Sequence, residues 1–379
     1  LSNETAGEHF TPREVIDLMT HIVFMPIKDA LPPVILIYDG ACGSGGMLTE
    51  AQNFIADREG QIRSRARVLL YGKEINDETY AICKSDMMIK GNDPEHIKSG
   101  STLATDDFAG TRFDVMLSNP PYGKSWKSDQ RHILAGKEVL DPRFRVKLRD
   151  YWGVEREEPA IPRSSDGQLL FLMDMVSKMK ALTDSPLGSR IASVHNGSSL
   201  FTGDAGSGES NIRRYIIEND WLEAIIQLPN NLFYNTGIAT YIWVIANHKT
   251  PQRRGKVQLI DASALYRKLR KNLGAKNCEF APEHIDQITR LYLGMADDGI
   301  AKVFDNADFG YYKVTVERPL RLAAQFTAER VARLRFAPAY EQPMRWMYDQ
   351  WGEAVYTDPA AHRKAVERYL EEAEIELGP

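Results

Sequence analysis

Cysteine, long apolar runs and an excess of positive charge are all scarce in this sequence, and each scarcity excludes something. Cysteine occurs three times in 379 residues, at Cys42, Cys83 and Cys278. That is too few for a disulfide framework, and none has a neighbouring Cys or His at metal-ligand spacing. A reduced, cytoplasmic setting with no metal site is therefore expected. No run of about 18 apolar residues exists, so no segment is expected to cross a membrane as a helix. Lys and Arg number 47 against 52 Asp and Glu, a formal net charge of −5. That balance argues against a chain that holds nucleic acid by global charge alone. The chain opens on Leu1 without a charged region and an apolar stretch behind it. No signal peptide is expected, and the chain reads as a fragment of a longer polypeptide.

What is present is an alternation of two patterns. The length exceeds one small core and predicts two or three domains, or one large sheet with appendages. Thr11-Pro12-Arg13-Glu14 predicts a helix start with a capping box, followed by Val15, Leu18, Met19 and Ile22 at helical spacing. Val34 to Tyr38, Val68 to Gly72, Phe113 to Leu117, Arg190 to Val194 and Leu222 to Leu228 are short, β-branched and mostly unalternating, as buried parallel strands are. Helical segments are expected over 79–89 and 169–182. Tyr241–Ala246 and Val257–Ile260 read as a late, adjacent, antiparallel pair. The sum is an α/β doubly wound, mostly parallel sheet with antiparallel late strands. A catalytic domain is expected over 1–265 and a mainly helical tail, suited to subunit contact, over 266–379. Within that tail Tyr311–Val316 looks strand-like, and 283–296, 320–336 and 360–377 look helical.

Two constellations carry chemistry. Asp39-Gly40-Ala41-Cys42-Gly43-Ser44-Gly45-Gly46 lies between a strand and a helix, where glycines permit a tight turn and close backbone approach to a ligand. It lacks the third glycine of a dinucleotide fingerprint and the Lys-Ser/Thr of a phosphate loop. An Asp at the strand end suits a cationic or hydroxyl-bearing ligand, and Glu74, ending the next strand, is placed to accept two ribose hydroxyls. The glycines alone read equally well as a structural turn. The second is Asn119-Pro120-Pro121-Tyr122 at another strand end. The Asn119 side-chain oxygen and the Pro120 carbonyl can accept both hydrogens of one amino group, and Tyr122 offers a flat face to a base.

With Gly7-Glu8-His9-Phe10-Thr11-Pro12-Arg13-Glu14 and Gly72-Lys73-Glu74 added, the sequence resembles the N6-adenine DNA methyltransferases, and most closely the modification (M) subunits of type I restriction-modification systems. Arg213, Leu228-Pro229, Leu232-Phe233-Tyr234-Asn235-Thr236-Gly237-Ile238 and Ile260-Asp261-Ala262-Ser263 match that subfamily's later pattern. The resemblance spans roughly Gly7 to Arg321. It implies a Rossmann-like S-adenosylmethionine-dependent methyltransferase fold and transfer of a methyl group to N6 of an adenine flipped out of duplex DNA. Glu8, His9, Phe10, Thr11, Pro12, Arg13, Asp39, Ala41, Gly43, Ser44, Gly45, Gly46 and Glu74 are implied to bind S-adenosylmethionine, with no metal. Asn119, Pro120, Pro121 and Tyr122 are implied to hold the adenine, with Phe233, ahead of Tyr234, on its other face. The implied partners are double-stranded DNA, a specificity (S) subunit, a restriction (R) subunit and a second M subunit. The family's N-terminal helical domain is expected to be missing from this chain. Two positions depart from the pattern: Asp39-Gly40 replaces Asp-Pro, and Gly100-Ser101-Thr102-Leu103 lacks the usual acid, for which Asp106 and Asp107 are the candidate substitutes.

Other signals admit two readings. Lys124, Lys127, Arg131, Lys137, Arg143, Arg145, Lys147 and Arg149 either track DNA or form a solvated face. The Arg267–Lys276 cluster is similarly open, and Arg253-Arg254-Gly255-Lys256 reads as a hairpin tip. Met173, Met175 and Met179 are read as core, and His195 as structural. Rival functions are methylation of another planar amine or amide, such as a protein glutamine, and a catalytically silent scaffold for DNA or subunits.

Overall fold

A computed structural model describes residues 10–150, 152–311, 314–317 and 325–375. The chain divides into two compact units, Leu1–Lys313 and Val314–Pro379.

In the first unit nine strands form one sheet: β1 (Val34–Asp39), β2 (Arg67–Glu74), β3 (Ile97–Ser99), β4 (Val115–Ser118), β5 (Arg190–Asn196), β6 (Leu222–Gln227), β7 (Thr240–Ala246), β8 (Lys256–Asp261) and β9 (Ala301–Asp305). Their spatial order is β9-β8-β6-β7-β5-β4-β1-β2-β3. The five strands from β3 to β5 in that order run parallel. β7 is antiparallel to both β5 and β6, and β9 to β8.

The late strands differ from the expected adjacent pair. β7 inserts between β5 and β6, while β8 pairs in parallel with β6 on its far side. The link between β7 and β8 is held across the foot of β6 by Asp220, which accepts from Lys249 Nζ at 2.6 Å and from the Gly255 amide at 2.9 Å.

Successive residues of each central strand enter two different cores, because side chains alternate across a sheet. Ile35 and Ile37 of β1, Val115 and Leu117 of β4, and Ile242 and Val244 of β7 pack into one apolar cluster. Tyr38, Met116, Trp243 and Ile245 pack into the other. Helices α1 (Arg13–Phe24), α2 (Gly46–Ala56) and α3 (Asp77–Ile89) cover the first face. Helices α4 (Gln168–Ser177) and α5 (Gly208–Glu218) cover the second. Burial on both faces explains the unalternating apolar strands. Met173, Met175 and Met179 are core side chains, as expected.

The domain boundary expected at residue 265 is corrected. Helix α6 (Pro282–Leu293) packs Ile285, Ile288 and Tyr292 into the first core, and β9 closes the sheet edge. A buried polar knot fastens α6: Arg190 on β5 donates to Glu223 on β6 at 2.6 Å and to the Tyr292 hydroxyl at 2.5 Å, and that hydroxyl donates to Glu223. Burial works to raise the Glu223 carboxyl, but Arg190 and Arg253 outweigh it and hold the group below the usual carboxylate range.

The second unit is helical, as expected for the tail. It holds helices Ala328–Leu334, Glu341–Trp351, Ala354–Thr357 and Pro359–Glu372, with Trp346 stacked on Tyr369 at 3.9 Å between ring centroids. The described residues of Tyr311–Val316 carry no strand.

Removing one partner of a buried ion pair strands the other charge. Glu223→Ala is therefore expected to cost about 3–5 kcal/mol of stability, read as a fall in the denaturant midpoint. Lys256→Ala, which removes an exposed pair with Asp305, leaves that midpoint in place.

Candidate active site

The strand order reverses between β1 and β4, and in open α/β sheets the crevice beyond the carboxyl ends at such a reversal receives ligands. A cavity of about 350 Å³ opens there.

Three strand ends are laced together at its floor. The Asp39 carboxylate, ending β1, accepts from the Ala41 amide at 2.9 Å and from the Ser118 hydroxyl of β4 at 2.7 Å. The Glu74 carboxylate, ending β2, accepts from the Gly43 amide at 3.0 Å and the Asn76 amide at 2.8 Å. Burial pushes the Asp39 carboxyl up to about 7, against the pull of its two hydrogen bonds. Gly45 lies at φ +80°, where an L side chain is strained, and a Cβ there would meet Met87 Cε at 2.5 Å and Cys83 Sγ at 2.8 Å, so a larger residue must displace them. The next residue begins α2 without a side-chain cap, and Gly46 and Met47 of that first turn, whose amides have no partner within the helix, line the cavity.

The catalytic-type turn sits opposite. Asn119 donates through Nδ2 to Thr11 Oγ1 at 3.1 Å. Its Oδ1 is buried without any hydrogen-bond partner among the described residues, a condition that costs about 1–3 kcal/mol unless a ligand relieves it. Tyr122 is half-buried, and burial pushes its phenol up to about 12, which keeps it neutral. Gly123, at φ +69°, closes the turn by donating its amide to Asp166 Oδ1 at 3.1 Å.

Of the expected site residues, Phe10, Thr11, Asp39, Ala41, Gly43, Ser44, Gly46, Glu74, Asn119 and Pro121 line this cavity. Pro12 and Arg13 enter α1 beside it, Gly45, Pro120 and Tyr122 are not among its lining residues, and Glu8 and His9 lie outside the described residues. The expected capping box is corrected: α1 has no side-chain cap, because the Thr11 hydroxyl serves Asn119 and Glu14 pairs with Lys276. Phe233 is also corrected. Its ring is 2% exposed inside the apolar core, so it has no face for a base; Tyr234 beside it is half-exposed.

The substitutes expected for the missing acid are elsewhere too. Asp107 pairs with Lys73, and Asp106 lies 2.9 Å from Lys178 Nζ. At the departing position the Ser101 hydroxyl accepts from the Leu103 amide at 3.2 Å and turns the loop itself. The wall also contains residues the sequence did not single out: Ile16, Trp126, Asp129 and Phe171. Phe171 lies on α4, which was legible as a helix, but its reach to the cavity depends on how α4 crosses the sheet. Deep burial pushes the His195 imidazole down to about 3, and its Nδ1 lies 3.2 Å from Gln168 Oε1. It is a neutral structural group.

Comparison with known proteins agrees with this geometry. The N-6 DNA Methylase family profile matches residues 2–315. The type I restriction enzyme MpnII methylase subunit of Mycoplasma pneumoniae is 28% identical over 290 residues, covering 73% of this chain and 47% of its own. The MjaVII methylase subunit of Methanocaldococcus jannaschii is 29% identical over 302 residues, covering 79% and 46%. The chain thus spans about half the length of these curated relatives. Among solved structures, the type I restriction-modification methyltransferase subunit of Streptococcus thermophilus matches with a TM-score of 0.62 and 27% identity, over 80% of this chain and 57% of that one. With its profile matched along most of its length and its strand ends arranged as described, the chain belongs to the N-6 DNA methylase family.

Proposed function

We propose that this chain is the methyltransferase portion of a type I modification subunit and transfers a methyl group to N6 of adenine in double-stranded DNA. One observation carries the reading: the buried Asn119 Oδ1 that none of the described residues satisfies, set at the end of β4 beside a cofactor-sized cavity.

The residues present fit S-adenosylmethionine. Each Glu74 oxygen accepts one amide and retains a lone pair for a ribose hydroxyl. The Gly43–Gly46 loop permits close backbone approach, Phe10 and Phe171 supply apolar wall, and Asp39 faces the cavity as an acid. When bound, this cofactor supplies a methyl already activated by its sulfonium centre. The chain's own work is then positioning. Asn119 Oδ1 and the Pro120 carbonyl accept the two hydrogens of the adenine amino group, drawing N6 toward tetrahedral geometry and aiming its lone pair. Tyr122 stacks on the base, which offsets part of the few kcal/mol needed to extrude it. Of the neighbouring aromatics, Tyr234 rather than Phe233 has a face to offer. Partners in this reading are a specificity subunit, a restriction subunit and a second modification subunit, in the cytoplasm.

Labelled S-adenosylmethionine, offered with DNA and with cell protein in the presence of the specificity subunit, tests it. N6-methyladenine is expected, and Asn119→Ala is expected to lower kcat by about 100- to 1,000-fold while the cofactor still binds. Label on glutamine would point to the rival amide substrate, and cofactor binding without any transfer to the silent scaffold. Glu74→Ala is expected to weaken cofactor binding roughly 10- to 100-fold by calorimetry. The Asp39 carboxyl is protonated below about 7 and ionised above it, and a cationic ligand favours the ionised form. Cofactor affinity should therefore rise as pH increases through about 7, and Asp39→Asn should flatten that profile.

A further inference from the structure

The proposed reaction needs a surface that holds a duplex beside the extruded base, and the inference about that surface rests on the methylation reading. Two stretches carry enough cations to serve. The first directly follows the Asn119–Tyr122 turn, and part of its charge is paired within the chain. Strand Arg145–Arg149 pairs antiparallel with Glu155–Pro159, which sets Arg145 3.4 Å from Glu157 and Lys147 3.5 Å from Glu155. Arg143 is buried, held by Asp141 at 2.6 Å and Asp174 at 2.7 Å. Those three cations face carboxylates and offer little attraction to phosphate, whereas Lys127, Arg131, Lys137 and Arg149 of the same run are exposed and have no ion pair among the described residues.

The second stretch gathers its cations on one short element. Strands Arg267–Leu273 and Lys276–Glu279 form a two-stranded ribbon outside the main sheet. Arg267 pairs with Glu279 at 2.8 Å. Lys268, Arg270 and Lys271 are exposed, and none has an ion pair among the described residues. Half-buried Leu269 separates the first two, in a stretch where the register of the ribbon shifts.

The ribbon is also fixed relative to the site. Its turn is Gly274-Ala275, with Gly274 at φ +66°, where a Cβ would lie 2.4 Å from the Tyr234 carbonyl oxygen. The Ala275 amide donates to that carbonyl at 2.9 Å, and the Asn277 amide to the Asn231 carbonyl at 3.0 Å. Lys276 Nζ donates to the Leu232 carbonyl at 2.9 Å and to the Glu14 carboxylate. Glu14 follows Thr11 within the same segment, and the Thr11 hydroxyl holds the Asn119 amide. The basic ribbon is thus fastened both to the loop carrying Tyr234 and to the segment that orients the catalytic asparagine.

We propose that Lys268, Arg270 and Lys271 of this ribbon hold the phosphate backbone of duplex DNA next to the extruded adenine. Charge complementarity carries the assignment: these are unneutralised cations in a chain of net charge −5, on a two-stranded ribbon, a shape that a duplex groove admits.

The test measures binding of a fluorescent adenine-containing duplex by anisotropy across a salt series. Each phosphate that is no longer neutralised lowers the slope of log affinity against log salt by about 0.9. The triple variant Lys268→Ala, Arg270→Ala, Lys271→Ala should lose roughly two to three units of slope while its affinity for S-adenosylmethionine, read by calorimetry, is unchanged. Arg145→Ala with Lys147→Ala should leave the slope where it was. The proposal is overturned if the triple variant keeps the wild-type slope, if the control variant loses as much, or if the wild-type chain fails to bind the duplex even at low salt. Failure of the methylation reading looks different: the ribbon effect persists but no N6-methyladenine forms.

Discussion

The Asp39 carboxylate is the hinge-pin of this molecule. Its bonds to the Ala41 amide and the Ser118 hydroxyl join the glycine loop after β1 to the strand that ends in Asn119. Glu74 repeats the arrangement one strand over by gripping the Gly43 amide. The parts of the site that would meet cofactor and those that would meet base therefore cannot shift independently, although Asp39 and Ser118 are 79 positions apart in the chain. Holding reacting groups in a fixed, productive geometry is the greater part of catalysis when a transferred group is already activated. In the proposed reaction the lacing would supply it without a covalent nucleophile.

Burying both sheet faces frees the strand ends for chemistry but forces polar groups inward elsewhere. The Arg190–Glu223–Tyr292 knot and the Asp174 cluster answer that demand. Asp174 accepts from the Tyr38 hydroxyl at 2.9 Å, from Arg143 and from Lys178. It thereby ties β1, α4 and the loop after the Asn119–Tyr122 turn into one network. Apolar packing of equal volume often stabilises a fold as well as such a network does; the effect of the network is to define which loop lies where.

Much of the centre is legible in the sequence because each piece announces itself locally. Apolar runs ending in Asp39, Glu74 and Asn119 mark strand ends, and strand ends are where α/β sites form. What escapes depends on distant contacts. Thr11 has the composition of a cap, yet its hydroxyl is claimed by Asn119, 108 positions away. Phe233 and Tyr234 are indistinguishable by pattern, and only the path of the loop against α1 and α6 decides which ring is buried. The basic run after the turn admits two readings in sequence, a DNA track or a solvated face, and the acidic strand Glu155–Pro159 lies against its Arg145–Arg149 part. The domain boundary is misplaced by sequence because α6 and β9 are charged on their outer sides and betray their inner contacts only through Ile285, Ile288, Tyr292 and Ala301.

The contact between Gly45 and helix α3 has a consequence for how such a sequence can diverge. Met87 and Cys83 pack their sulfur ends against the space where a Cβ at Gly45 would stand, and Cys83 and Met87 are themselves fully buried. Neither residue lines the cavity, yet the volume each occupies sets how close the loop backbone can sit to α3. Drift at these two back-side positions is therefore coupled to the loop in front: a bulkier side chain at either would press on the Gly45 backbone. The site's tolerance to change is written partly in a helix that never meets what the site holds.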